Sequence, residues 1–232
     1  MTPPTSRTLA AVTLASALLL SGCTGAGSQE SDLSPEEVLA EAKTQLDETS
    51  GVNILLATEK LPAGVNGIVS ADGVGTHQPA FDGKLKVASG GITLDVEVVA
   101  VDGDVHAKLP YTTDFVEVDP RDYQAPDPAD LMDTEEGLSS LLTAAEDVEA
   151  GEPVRSGELV LTEYTGTVPG EVVARVIPSA DPSGTFDATF SVTEDNRLDE
   201  AELTGAFYPD APEVTYSITF EDYGTDEDIT AP

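Results

Sequence analysis

The single cysteine of this 232-residue chain, Cys23, is the residue best placed for a chemical modification. It directly follows a Leu-Ser-Gly tripeptide (residues 20–22) that ends an apolar run beginning at Leu9, and the basic residue Arg7 precedes the run. A basic start, an apolar run and small residues before a cleavage point are typical of a secretory signal peptide. The run is shorter than the about twenty residues that a membrane-spanning helix needs. The sequence therefore predicts a segment that directs export and is removed.

The tripeptide and Cys23 together resemble the lipobox of bacterial lipoproteins. In such signals the cysteine sulfur receives a diacylglyceryl group, the peptide is cut before the cysteine, and the new N-terminus often carries a further acyl chain such as palmitate. Two or three acyl chains anchor a protein stably, whereas one does so only marginally. The resemblance implies a signal peptide over 1–22 and a lipid anchor at Cys23 on the extracytoplasmic face of the cell membrane. The alternative is an ordinary signal peptide in which the cysteine stands by chance.

The rest of the sequence contains no recognisable catalytic set. His77 and His106 are the only histidines, and a Gly-x-Ser-x-Gly motif is absent. A histidine on or near a strand without a role is more common than a catalytic base. We therefore expect no enzymatic activity and no cofactor.

The acidic residues form no recognisable metal site. Asp102-Gly103-Asp104 is better explained as a hairpin turn than as part of a calcium loop. The run 226–228 is better explained as a solvated charge run. We expect no bound metal.

The composition limits the class of partner. The chain has 44 acidic and 10 basic residues and a formal charge of −34, so nucleic acid is not an expected partner and anionic headgroups are repelled. Hydrophobic residues make up 40% of the chain, which is enough for a folded core. Lipidation of Cys23 would leave no cysteine for a disulfide, so the fold must depend on its core. A high-salt habitat is a second explanation of the acidity.

The ordered domain is predicted to begin with a helix. Residues 23–33 comprise the lipidated cysteine and a small, polar flexible tether. Ser34 and Glu37 have the spacing of a capping box, and Pro35 suits the first helical position. The apolar residues that follow recur with helical spacing, so the sequence predicts an amphipathic helix over 35–48.

Alternation of apolar and polar residues then predicts an antiparallel sheet. Gly90-Gly91 and Asp102-Gly103 are hairpin turn signals. The predicted strands lie at 52–60, 66–76, 81–89, 92–101, 105–109, 115–118, 152–156 and 158–168, and three more close the chain.

Further helices are predicted at 134–148 and 170–177. An apolar sheet face needs a cover, and the three helices can supply it. Space that they leave unfilled would be an apolar cavity. The predicted fold class is α+β, with one domain over 34–224 and an acidic tail over 225–232.

The candidate lipid-binding residues are those on the predicted apolar faces. A filled core is an equally good explanation for any one of them. They are Leu85, Val87, Leu94, Val96, Val98, Leu141, Leu142, Phe186, Phe190, Ile218 and Phe220.

Several segments in order resemble the actinobacterial lipoprotein family of LppX, LprA, LprF and LprG, with LprG the most similar. They are the Leu-Pro-Ala-Gly at 61–64, the strand at 81–87 with its Gly90-Gly91 turn, the strand at 92–101 leading into 102–107, and the stretch from Tyr123 to Leu142. The resemblance covers nearly all of the chain after the signal. Departures include Ala100-Val101, where the family has an aromatic residue.

This resemblance implies a curved antiparallel half-barrel sheet with helices on its concave side and a large apolar cavity between them. It also implies binding of acylated lipids or glycolipids, their transport across the cell envelope, and work beside a membrane efflux transporter in one branch of the family. A structural or adhesive envelope lipoprotein with a filled core is the alternative function. An envelope hydrolase is disfavoured because no nucleophile–base pair is visible.

Overall fold

The computed structural model describes residues 33–232. The predicted signal peptide, Cys23 and the tether as far as residue 32 lie outside the described residues. The helices are α1 (Pro35–Glu48), α2 (Ser140–Thr143) and α3 (Gly170–Val176), with 3-10 segments at Pro120–Tyr123 and Pro128–Met132. The strands are β1 (Gly51–Ala57), β2 (Gly67–Thr76), β3 (Ala80–Ser89), β4 (Ile92–Val101), β5 (Asp104–Lys108), β6 (Val116–Glu117), β7 (Glu146–Ala150), β8 (Val154–Ser156), β9 (Leu159–Pro169), β10 (Thr185–Thr193), β11 (Leu198–Gly205) and β12 (Val214–Glu221).

Helix α1 forms where the sequence predicts it. The Ser34 hydroxyl accepts a hydrogen bond from the Glu37 backbone N–H at 3.3 Å, and the Glu37 carboxylate accepts one from the Ser34 N–H at 2.8 Å. This reciprocal pair satisfies donors that the first helical turn leaves free. The apolar stripe from Val38 to Leu46 is buried. The predicted helix at 35–48 is therefore confirmed.

The strands form one antiparallel sheet in the order β6-β5-β4-β3-β2-β1-β12-β11-β10-β9-β7, and β8 pairs with β9. Two consecutive meanders thus lie side by side, and the β1–β12 pair joins them. We call β1–β6 the N-terminal half and β7–β12 the C-terminal half. The predicted large, curved antiparallel sheet is confirmed, but strands dominate the fold more than a balanced α+β class implies.

The strand register gathers the apolar side chains on one face of the sheet. Leu85 pairs with Val96 and Val87 pairs with Leu94 in the N-terminal half. Across the junction of the halves, Leu56 pairs with Ile218. We call this the inner face, and the three helices pack on it. The outer face carries charged pairs such as Lys86–Asp95.

The predicted helix at 134–148 is wrong. Only Ser140–Thr143 is α-helical, and Glu146–Ala150 is strand β7. The Asp133 carboxylate accepts hydrogen bonds from the backbone N–H groups of Glu135 and Glu136 at 2.8 and 2.7 Å, which fixes a tight turn before the helix. After the helix, Asp147 adopts a φ of 53°, which α-helix does not allow. Local side-chain hydrogen bonds thus override the helical spacing of the apolar residues.

The turn before α2 gives a test of this account. A Cβ at Gly137 would overlap the backbone oxygen of Asp133 and lie 2.6 Å from that of Leu131. We expect Gly137→Ala to lower the free energy of unfolding by about 1–3 kcal/mol, the usual range for overpacking. Chemical denaturation measures this change. Gly184→Ala is the matched control, because a Cβ there makes only ordinary contacts, at 3.5 Å or more. Equal stability of the two variants would contradict the assigned turn.

Candidate functional site

The inner face carries two separate apolar clusters. The larger one lies on the C-terminal half together with β1 and includes buried residues of all three helices. The smaller one lies on β3, β4 and β5 of the N-terminal half, and its only buried member from outside the strands is Ala129. The two halves of the sheet are thus covered to different extents.

The C-terminal half is a packed core. Six of the predicted lipid-binding residues lie in it, each at most 3% exposed: Leu141, Leu142, Phe186, Phe190, Ile218 and Phe220. Phe207 packs edge-to-face against Phe186, with ring centroids 4.8 Å apart, and against Tyr216 at 5.0 Å. The Phe186 ring occupies the space that a side chain at Gly205 would need. The role of these residues in lipid binding stays a prediction.

The N-terminal half has a thinner cover. Val96 and Val98 are buried, whereas Leu85, Val87 and Leu94 are only partly buried at the edge of the smaller cluster. The cover consists chiefly of the 3-10 segment Pro128–Met132, which contacts β2, β3 and β4. The five predicted residues on β3 and β4 therefore share one face of one hairpin, and three of them retain accessible apolar surface.

Phe81 was not among the predicted site residues, although it belongs to the same face. Its ring lies on Gly73 and Gly83, which pair across β2 and β3. A Cβ at Gly73 would lie 2.5 Å from the Phe81 ring, and one at Gly83 would lie 2.7 Å from it. The ring thus covers the stretch where the sheet has no side chains of its own. The sequence signal for this contact was the presence of Gly73 and Gly83 within predicted strands, since a glycine inside a strand often marks the close approach of another group.

The 3-10 segment Pro128–Met132 connects the two apolar clusters. Ala129 belongs to the smaller cluster and Met132 to the larger one. Met132 packs on Gly75, where a Cβ would lie 3.0 Å from its side chain. The segment therefore lies over the boundary between the packed half and the partly covered half.

Tyr208 and Tyr216 hold the two halves together beyond the end of β1. Their hydroxyls are 2.7 Å apart, and the Tyr216 hydroxyl donates to the Ile68 carbonyl at 2.6 Å. Ile68 lies on β2 and Tyr216 on β12, so this bond links strands that β1 separates elsewhere. Burial, and then the hydrogen bond with Tyr208, raises the pKa of Tyr216 well above the ordinary value of tyrosine.

A cleft of about 1010 Å³ opens beside the 3-10 segments and the end of α3. Seven of its lining residues are acidic, and Arg121 and Arg175 are its two cations. Desolvation raises the pKa of Asp130, and the nearby carboxylates of Asp127 and Asp133 raise it further. The cleft is polar, so it differs from the apolar cavity that the sequence predicts.

Four of the residues that line the cleft belong to the apolar clusters. Val105 and Val118 belong to the smaller cluster, and Leu131 and Val176 belong to the larger one. The cleft therefore opens above the boundary between the two clusters.

The two histidines lie at different places in the fold. One ring nitrogen of His77 lies 3.0 Å from the Leu46 carbonyl oxygen, which ties the β2–β3 turn to α1. His106 lies on β5, opposite Glu117 of β6. Within residues 33–232, no group of three or more side chains is arranged to hold a metal ion.

The sequence matches the family model of the LppX_LprAFG lipoproteins over residues 34–231. The chain belongs to this lipoprotein family. The resemblance inferred from the sequence is thereby confirmed. The finer prediction that LprG is its most similar member is not tested by the family model.

Two solved structures share the fold of the LppX_LprAFG family. LprF from Mycobacterium bovis is similar with a TM-score of 0.70 and 17% sequence identity, over 85% of this chain and 96% of LprF. The lipoprotein LppX from Mycobacterium tuberculosis is similar with a TM-score of 0.61 and 18% identity, over 85% of this chain and all of LppX. At these identities the likeness establishes the fold alone.

No curated protein sequence matches the chain. Among the described residues, no helix is both long enough and apolar enough to cross a bilayer.

The tyrosine pair gives the first test of how the site is held together. Tyr216→Phe removes both hydrogen bonds of the hydroxyl and leaves the Ile68 carbonyl without this donor. We expect a loss of about 1–3 kcal/mol in the free energy of unfolding, the cost of an unpaired buried polar group. Chemical denaturation measures it. Tyr123→Phe is the control, since Tyr123 is exposed. A Tyr216→Phe variant as stable as the control would contradict the assigned role.

The same tyrosine predicts a dependence of stability on alkaline pH. The pKa of Tyr216 is raised in the folded protein, whereas in the unfolded chain it is about 10. Above that value the unfolded state binds fewer protons than the folded state, so stability falls as the pH rises. Denaturation midpoints measured from neutral to alkaline pH should therefore decline, with a smaller decline in Tyr216→Phe. Identical profiles for the two proteins would count against this cause.

Proposed function

We propose that this protein is a lipid-anchored lipoprotein that binds the acyl chains of lipids or glycolipids on the inner face of its sheet and carries them across the cell envelope. The observation that carries the proposal is the partly covered apolar surface of Leu85, Val87 and Leu94. Membership of the LppX_LprAFG lipoprotein family supports the cellular setting.

The energetics of such a surface favour acyl chains. Each methylene that leaves water contributes about 0.8 kcal/mol, so a chain laid along the hairpin would bind without polar contacts. The paired residues of β3 and β4 present a continuous apolar strip, because Leu85 lies opposite Val96 and Val87 opposite Leu94. Specificity for the length and the number of the acyl chains would then depend on the size of the apolar surface.

The segment Pro128–Met132 is the proposed movable cover. It is a 3-10 segment, with fewer stabilising hydrogen bonds than an α-helix, and Met132 is a flexible side chain that fills irregular space. Displacement of this segment would join the partly covered face to the boundary of the packed half. In the lipid-bound state, this space is the proposed apolar cavity, and Leu141, Leu142, Phe186, Phe190, Ile218 and Phe220 are its proposed far wall.

Cys23 is the proposed lipid attachment site, residues 34–224 the lipid-binding domain, and residues 225–232 an acidic tail. An efflux transporter as partner stays a prediction from the family resemblance, and lipid binding does not depend on it.

One observation favours a second function. The C-terminal half is packed by three helices and an aromatic row, with its six predicted lipid-binding residues buried. If the partly covered face also closes without a ligand, the protein would be a structural or adhesive envelope lipoprotein.

Native mass spectrometry of the mature protein, with organic extraction, tests the proposal. We expect an acylated lipid at near one-to-one stoichiometry. Leu85→Trp places a larger side chain on the lipid-binding strip and should lower the lipid occupancy severalfold, because each displaced methylene costs about 0.8 kcal/mol.

Leu55→Trp is the matched control for Leu85→Trp. Leu55 is also a partly buried strand leucine, but it lies opposite Asp72 on the outer face. This variant should retain its lipid, and thermal melting of both variants checks that each is folded. A wild-type protein that neither carries lipid nor takes up added lipid would favour the structural function instead.

A further inference from the structure

One end of the N-terminal half exposes a group of large apolar side chains. The strands β3 and β4 meet there at Gly90-Gly91, and the loops 58–66 and 109–115 lie at the same end. The Asn66 side chain accepts a hydrogen bond from the Gly90 N–H at 2.9 Å, which joins the first loop to the turn. We call this end the tip. The exposed residues of the tip patch are Ile92, Leu109, Tyr111 and Val116.

The tip patch continues the inner face outward. Ile92 lies two residues before Leu94 on the same face of β4, and Val116 pairs with Ala107 of the smaller cluster. Ile92 is 61% exposed, and Leu94, two residues along β4, is partly buried. Val116 is 48% exposed and is level with Val98 through the β4–β5–β6 register. An apolar row therefore runs along β4 from the exposed Ile92 to the proposed lipid-binding strip.

Tyr111 stands out at the tip because it is fully exposed and its φ is 70°. The left-handed region is unfavourable for a bulky non-glycine residue. The Thr112 N–H and hydroxyl both bond the Leu109 carbonyl, which closes the turn that holds Tyr111 outward. An aromatic ring with a polar end is the side chain most favoured at the boundary between a bilayer and water.

The charge of the tip differs from that of the whole chain. The segments 58–66, 84–97 and 106–116 contain four lysines, at 60, 84, 86 and 108, and four acidic residues, at 59, 95, 97 and 114. Asp72, which pairs with Lys84, and Glu117, which pairs with His106, bring the formal charge of this end to −2, whereas the chain as a whole carries −34. A strongly negative protein is repelled by anionic lipid headgroups. The tip can therefore approach such a surface with less repulsion than the acidic cleft.

We propose that the tip patch is a membrane-docking surface, whose occupant is the headgroup boundary of the bilayer that carries the lipid anchor. The inference rests on the proposed anchor at Cys23 and deepens the proposed function, because it places the apolar path of the inner face against a source of lipid. Residues 24–32 span at most about 30 Å, so the anchor keeps the domain within reach of that bilayer.

The test uses the absence of tryptophan from the chain. Tyr111→Trp provides a single indole at the tip, and Tyr123→Trp is the matched control. Tyr123 is also an exposed tyrosine, at 72%, but it lies in the 3-10 segment beside the acidic cleft. The protein, expressed from the full chain, is reconstituted in vesicles of equimolar phosphatidylcholine and phosphatidylglycerol, with and without bromine on the acyl chains.

We expect brominated vesicles to quench most of the emission of Tyr111→Trp and to leave that of Tyr123→Trp nearly unchanged. Adding Ile92→Asp to Tyr111→Trp should abolish the quenching. Adding Val154→Asp should not, because Val154 is equally exposed but lies on β8, outside the tip patch. This comparison separates docking by the patch from insertion of the introduced indole alone.

Equal quenching of the two tryptophan variants would overturn the proposal, as would quenching that survives Ile92→Asp. A concentration-dependent shift of Tyr111→Trp emission without vesicles would assign the patch to a second copy of the chain instead. The measurement reports the position of the tip and not the cargo. Docking without any co-purified lipid would therefore refute the lipid-carrying function alone, and bound lipid without docking would refute this inference alone.

Discussion

The structure depends on the need to cover one apolar face of a long single sheet. The register of β1–β12 places nearly all the buried strand side chains on that face, and residues 33–232 supply one full helix and two short ones to cover it. All three helices pack on the C-terminal half. The N-terminal half receives a 3-10 segment in their place, and the partly covered surface of Leu85, Val87 and Leu94 follows from this unequal distribution.

The junction between the halves keeps the two surfaces in one continuous sheet. The strands β1 and β12, which are far apart in the sequence, pair directly, and the Tyr216 hydroxyl extends the link to the Ile68 carbonyl where β1 ends. Aromatic rings fill the places where strands carry glycine, as Phe81 does over Gly83 and Phe186 over Gly205. A small-molecule site on β2, β3 and β4 would thus have the continuous sheet on one side and the short segment Pro128–Met132 on the other.

Local patterns in the sequence predicted most strands, because the alternation in 81–89, 92–101 and 185–193 requires only that one face be buried. The capping box at Ser34 and Glu37 predicted α1 for a similarly local reason. The helical spacing from Leu138 to Ala145 was misleading, because the turn at Asp133 and the positive φ of Asp147 confine the helix to one turn.

The features of the candidate site that depend on contacts between distant segments could not be predicted from the sequence. The apolar faces of 85–87 and 186–190 look alike as patterns, yet helices cover only the second. Nothing local distinguishes them, since the difference lies in where α1 and α3 pack. The acidic cleft joins residues from β5, the 3-10 segments and α3, and no single segment of sequence contains its pattern.

The central claim is that acyl chains lie on the inner face of the N-terminal half. Crystals of the protein grown with a lipid that carries bromine along its acyl chains would test it, because anomalous scattering locates the bromine atoms directly. The account predicts bromine in contact with Leu85, Val87 and Leu94, together with a displaced Pro128–Met132 segment. Bromine only on the outer face, or an inner face closed around its own side chains with no bromine, would contradict it.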